Sequence, residues 1–207
     1  MHPVEHWIKE GEHQRQDFKF LVSDSRKIAR TLCAFANTDG GRLLIGVKDN
    51  GKISGIRSDE EIYMMDTAAK YFTEPQVDFR AKAHRVQGKV VLEVEVSPSC
   101  HKPHRIKQED GTWVSYLRID DEDCLSDKVV RHLWKFAQDP RPVVLAFTEI
   151  EQELLRFLQE NPFITPRRFS RLAAIPLYKA VQIMAKLTSW GVLAFRSSRN
   201  GLVYVLS

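Results

Sequence analysis

No apolar run in the sequence approaches the ~18 residues that a membrane-spanning helix needs, and the opening MHPVEHWIKEGEHQ holds no apolar core of a secretion signal. Cysteine is scarce. Cys33, Cys100 and Cys124 lie far apart and form no CxxC pair, which argues against a disulfide framework and fits a reducing compartment. Together these absences lead to an expected home in the cytoplasm, with no membrane partner. The most telling absence is of acid. From Asn161 to Ser207 there is no Asp or Glu, and the charges are Arg167, Arg168, Arg171, Lys179, Lys186, Arg196 and Arg199. Residues 1–140 carry 22 Lys/Arg against 23 Asp/Glu and residues 141–207 carry 9 against 4, so the net charge of +4 hides a basic C-terminal part. A basic excess confined to one small module points to a polyanionic partner there. The competing explanation is a solvated surface that is merely positive.

What is present divides at QDPRP (138–142), a helix breaker and expected linker. The expected domains are therefore 1–140 and 141–207. In the first, QRQDFKF alternates as a half-buried strand, with Phe18 and Phe20 on one face. SDSRKIARTLCAFANTDGG has apolar residues at helical spacing, Ser23 or Ser25 to cap the start and Gly40–Gly41 to stop it. A helix opening on a Ser58–Glu61 capping box follows, then two strands around Gln87-Gly88, the strand TWVSYLRI and a helix from Ser126 to about Ala137. This order predicts an α+β unit, with helices on a mainly antiparallel sheet. In the second domain, a Thr148–Glu151 capping box, a Thr165 cap followed by Pro166, and a longer amphipathic helix precede a two-stranded hairpin. Three helices and a hairpin in that order predict a winged helix-turn-helix.

Residues 46–52, GVKDNGK, spell the G-x-x-x-x-G-K of a nucleotide-binding loop. That loop must open a helix and carry Ser or Thr after the Lys. Here Ile53 follows, and KISGI reads as a strand. Asn50-Gly51 predicts a type I′ hairpin turn instead. An ATP site is accordingly not expected.

GEHQRQDFKF, IARTLCAFANTDGGRLLIGVKDNGKISGI and SYLRI resemble the Schlafen-type AlbA domain over about residues 5–137, most specifically across 34–55. The resemblance implies a Schlafen/AlbA-type mixed sheet-and-helix domain assigned to DNA binding in bacterial regulators, where a winged helix often follows. In Schlafen relatives that cleave tRNA and rRNA, three carboxylates form a metal-dependent endoribonuclease site. Carried over by motif these are Glu12, Asp17 and Asp49, which would hold magnesium or manganese. Asp17 stands where the family has Glu, a carboxylate shorter by one methylene. Lys19, two strand positions from Asp17 and on the same face, is placed to pair with a phosphate. The alternative reading has Asp49 capping its turn and Glu12 solvated at the surface. Catalytic Schlafen proteins join two such lobes, so a comparable groove here needs a homodimer.

CHKPH (Cys100, His101, His104) offers a zinc ligand set with no partner pair and reads better as a basic loop. In the first domain Arg42, Lys48, Lys52, Arg105, Lys107 and Arg118 are candidates for phosphate contact. In the second, Lys179, Gln182 and Lys186 project from the expected recognition helix, with Gln182 the best base reader. Wing residues Arg196 and Arg199, and Arg167, Arg168 and Arg171 on the preceding helix, suit the backbone. The leading expectation is a nucleic-acid-binding, transcriptional-regulator-like homodimer acting on DNA or structured RNA. The runner-up is a metal-dependent endoribonuclease, and a structural or assembly protein or an ATP-binding protein comes after these.

Overall fold

The computed structural model describes residues 2–56, 60–138 and 148–207. Two expectations, the Ser58 cap and most of the 138–142 linker, lie outside them. The chain forms two compact units, Met1–Leu125 and Ser126–Ser207.

The first unit runs α1 (Pro3–Glu10), β1 (Gln16–Lys19), α2 (Ser25–Asn37), β2 (Gly41–Ile45), α3 (Glu60–Phe72), β3 (Thr73–Glu74), β4 (Arg80–Val86), β5 (Lys89–Val96), β6 (Arg105–Lys107), β7 (Trp113–Val114), β8 (Tyr116–Ile119) and β9 (Glu122–Leu125). Its main sheet has the order β1-β2-β5-β4. β1 and β2 are parallel, with Asp17 opposite Leu43, and the other pairs are antiparallel. The α2 crossover accounts for this mixture, because parallel neighbours need a long connection and hairpins do not. The unit is α+β, as the patterning predicts.

Burial on both faces of the sheet sets the layers. α2 and α3 cover one face, where Ile28, Leu32, Phe35 and Met65 pack on Leu43, Ile45, Leu92 and Val94. α1, which the sequence reading passed over, covers the other through Val4, Trp7 and Ile8 against Phe18, Leu44 and Val91. Its signal was local: Pro3 at the first helical position, with His2 and Glu5 closing a capping box. The cap of α2 is Asp24, whose carboxylate accepts from the Arg26 and Lys27 amides, rather than either flanking Ser. The expected TWVSYLRI strand is two, β7 and β8, which join different small sheets on either side of Ser115.

The type I′ turn stands at the second expected hairpin, not at the first. Gln87 (φ 52) and Gly88 (φ 73) both take positive φ between the paired Val86 and Lys89, as a type I′ turn requires. At 48–52 the Gly51 amide donates to the Lys48 carbonyl (2.7 Å), so Asp49 and Asn50 are the central pair. Asn50 is not among the residues of positive φ; Gly51 (φ 79) is, one position later. A type I turn followed by a left-handed glycine fits these contacts, with the Asn50 side chain accepting from the Lys52 amide. The type I′ assignment at Asn50-Gly51 is therefore corrected.

The second unit runs α4 (Lys128–Gln138), α5 (Glu149–Glu160), α6 (Pro166–Leu172), α7 (Leu177–Ser189), β10 (Leu193–Arg196) and β11 (Val203–Leu206). β10 and β11 pair antiparallel, and Ile164 bridges to Tyr204 beside them. α4 packs on α7, and Asp127 at its start accepts both the Val130 amide and the Tyr204 hydroxyl (2.8 Å). The compact unit thus begins at Ser126, whereas the linker was read after this helix; the buried face of α4, Val129, Val130 and Trp134, is what binds it here. Burial, then the Asp127 charge, holds the Tyr204 hydroxyl far above the ordinary phenol range. The capping residues of α5 and α6 are those expected: Glu151 accepts from the Thr148 amide and hydroxyl, and Thr165 from the Arg168 amide.

Candidate functional site

β1 decides where the first carboxylates go. Its alternation sends Gln16 and Phe18 to the α1 face and Asp17 and Lys19 to the other. Asp17 is 4% exposed. Its Oδ1 accepts from Arg118 Nη2 at 3.0 Å, and its Oδ2 lies 2.6 Å from Lys19 Nζ, outside hydrogen-bonding geometry. Arg118 is 2% exposed; it also binds Asp123 Oδ1 at 3.0 Å and donates to the Gln16 carbonyl. Asp123 in turn accepts from Thr31 and lies 3.7 Å from Arg30. The result is a chain of alternating charge, Lys19–Asp17–Arg118–Asp123–Arg30, whose three middle members are buried.

Glu12 adjoins this chain. Its Oε1 accepts the Phe18 amide at 2.9 Å. Burial, with Asp17 close by, raises its carboxyl above the usual range against the pull of that amide and of Lys19. Asp49 sits exposed on the 48–52 turn. Among the described residues no group of three His, Cys, Asp or Glu side chains is placed to hold a metal. The structure therefore brings together Glu12 and Asp17 but not Asp49. Two carboxylates, one of them already facing two cations, do not fit the oxygen-rich shell of magnesium or manganese.

The specific stretch 34–55 is explained by packing. Asn37 is buried; its amide donates to the His104 and Tyr116 carbonyls and its oxygen accepts the His104 amide, at 2.8–2.9 Å. It clamps the residue before β6 and the start of β8 onto the end of α2. A Cβ at Gly41 would stand 2.5 Å from the Phe35 ring, and one at Gly46 2.7 Å from the Gly55 backbone. Gly46 accepts from both Ser54 and Gly55, which closes the 46–55 loop on itself. Val47 and Ile53 bridge across the turn, so Gly51-Lys52 leads into an extended residue and not into a helix that would aim amides at a phosphate.

Two comparisons with known proteins bear on this unit. The family model described as Schlafen, AlbA_2 matches residues 12–125, more than half of the chain. The chain belongs to this Schlafen AlbA_2 family. Membership points to nucleic-acid binding. Among solved structures, the chain is similar to the DIP2311 protein of Corynebacterium diphtheriae (24% identity, TM-score 0.45), covering 60% of this chain and 24% of that one. It is also similar to the N-terminal domain of a RecG-related protein of Nitrosomonas europaea (25% identity, TM-score 0.42), covering 53% of this chain and 83% of that one. This chain thus spans about a quarter of the length of the DIP2311 protein.

In the AlbA_2 unit the cations expected on phosphate divide into free and committed. Arg118 is buried as the partner of Asp17 and Asp123, so its expected nucleic-acid contact is withdrawn. Arg42 is half-buried, 2.9 Å from Glu93 Oε1 and 3.8 Å over the Trp7 ring. Lys19 is turned to Asp17. Lys48, Lys52, Arg105 and Lys107 are exposed, with Lys48 over Phe20 and Arg105 3.5 Å from Glu74. His104 is no part of a basic loop. Its ring lies between the Pro75 carbonyl and the Ser99 hydroxyl (both 2.8 Å), and burial lowers its pKa.

Beyond the family match, Arg167, Arg168, Arg171, Arg196 and Arg199 are exposed. Lys186 is not. It pairs with Glu151 and lies 5.0 Å over the Trp190 ring, so of the expected nucleic-acid contacts on this helix it is the one already engaged by a carboxylate. Lys179, Gln182 and Lys186 all line a groove whose opposite wall is α4, through His132, Lys135 and Phe136. Sequence reasoning missed Tyr178, 68% exposed at the head of α7. Its position beside Lys179 in a basic stretch was the available signal. It also missed Asp123, which no local pattern distinguishes from its acidic neighbours.

Proposed function

We propose that this protein is a nucleic-acid-binding protein of the transcriptional-regulator kind, working as a homodimer and contacting phosphates through its second unit. The observation that carries this reading is the acid-free run after Glu160, whose arginines on α6 and the β10–β11 hairpin are exposed. A surface with uncompensated guanidinium groups attracts a polyanion at long range and binds it by releasing counterions. The order α5, α6, α7, hairpin supports a winged helix-turn-helix, in which two copies would meet a two-fold site. Family membership of the first unit supports the same partner class.

The test is binding of the whole chain to labelled duplex DNA and to tRNA across a salt series, with magnesium or manganese arms scored for cleavage. Salt-sensitive binding that falls in Arg196→Ala/Arg199→Ala, with intact RNA in every arm, is the expected result. RNA cleavage abolished by Asp49→Ala would overturn the binding-only reading. Light scattering checks the dimer, and a monomer on DNA at saturating protein contradicts that part.

A further inference from the structure

We propose that Tyr178 is the duplex-facing contact of α7, flanked by the α6 arginines, and that the Lys179–Lys186 side of the helix does not read nucleic acid. This rests on the nucleic-acid reading above and specifies its surface. Ala180, Val181, Ile183, Met184, Ala185 and Leu187 are buried, so α7 exposes only one arc. One flank of that arc, Lys179, Gln182 and Lys186, lines the α4-walled groove, and Lys186 is already neutralised by Glu151. Tyr178 lies about 100° round the helix from Lys179, a full turn before Gln182, and takes no part in lining the groove. The end of the arc that lies outside the groove is therefore that of Tyr178.

The charge of the helix that packs on α7 identifies the occupant. Arg167, Arg168 and Arg171 are exposed on the preceding helix, and no acid follows Glu160. In a helix-turn-helix the first residues of the second helix reach the bases while the first helix crosses the backbone. Arginines at α6 then neutralise phosphates, and the tyrosine ring packs on the apolar base edge, such as a thymine methyl. Among the described residues, the other exposed rings of this unit, Phe136 and Phe163, lie off α7, and a helix end presented to a groove, rather than a row of stacking rings, is what a duplex takes. The partner is a duplex.

The experiment measures anisotropy of a labelled mixed-sequence duplex, and of its single strand, against salt, with the whole chain and folded-state controls by circular dichroism. Tyr178→Ala should weaken duplex binding about 10-fold or more while leaving the salt slope unchanged, because the ring carries no charge. Tyr178→Phe should bind like the wild type. Arg167→Ala/Arg171→Ala should lower the slope by about 2. If the wild type binds duplex and Tyr178→Ala binds equally well, the proposal falls while the broader reading stands. A changed slope in Tyr178→Ala, a Tyr178→Phe loss as large as that of Ala, or preference for the single strand also overturns it. If the wild type binds no nucleic acid, the broader reading itself has failed.

Discussion

Replacing Arg118 by Ala should unfold the AlbA_2 unit more readily than any phosphate-contact mutation would. The guanidinium is 2% exposed and bridges Asp17 and Asp123, whose side chains are 5% and 8% exposed. Its removal leaves two carboxylates in a low-dielectric setting, with only Lys19 and the more distant Arg30 beside them. Breaking a buried pair by deleting one partner costs about 3–5 kcal/mol, mostly the penalty of the stranded charge. For a unit of this size that corresponds to a fall of about 10–20 °C in Tm. Urea and thermal unfolding of the whole chain, followed by far-ultraviolet circular dichroism, read the loss. The double substitution Asp17→Leu/Arg118→Met should recover part of it, because only Asp123 then stays without its guanidinium partner. A loss below about 1 kcal/mol, the level of a solvent-exposed pair, would refute the reasoning. It would mean that Asp17 is not held by Arg118 and is open to other ligands.

Three further outcomes follow from the same geometry. His104 is buried with its pKa lowered, so the unfolded chain takes up its proton more readily than the folded one. Stability should therefore fall as pH drops below about 6.5, and urea midpoints against pH should show that slope flattened in His104→Gln. Gly41→Ala places a methyl 2.5 Å from the Phe35 ring and should cost about 1–3 kcal/mol in urea unfolding by overpacking. In the second unit, burial opposes the charge of Glu151, but hydrogen bonds from Lys186 and Thr148 prevail and lower its pKa. Its contribution is present above about pH 4.5 and lost on acidification through the lower folded value, so Glu151→Gln should narrow the acid-induced loss in thermal melts.

Local chemistry made much of the fold legible. The caps at Thr148 and Thr165, the apolar spacing of α2 and the α+β order are all interactions within a few residues, and the structure holds each of them. Turn type was less legible. Asn50-Gly51 and Gln87-Gly88 are both plausible pairs, and hydrogen bonding between the flanking strands chose the second for the two-residue turn. The site was the least legible. Glu12 and Asp17 share no strand or helix face by spacing, yet the turn that lets Glu12 accept the Phe18 amide brings them together.

The sequence by itself determined the basic, acid-free C-terminal stretch, because charge is composition and needs no geometry. It also determined the family, through a run of residues that proves to be packing: Asn37 as a clamp, and Gly41 and Gly46 as points where no side chain fits. Tertiary structure decided which charges are free. Arg118 and Asp17 are about 100 positions apart, and Lys186 and Glu151 are 35 apart. Only folding shows that each is spent on its partner, since ion pairing depends on distance in space and burial, neither of which is written in local sequence.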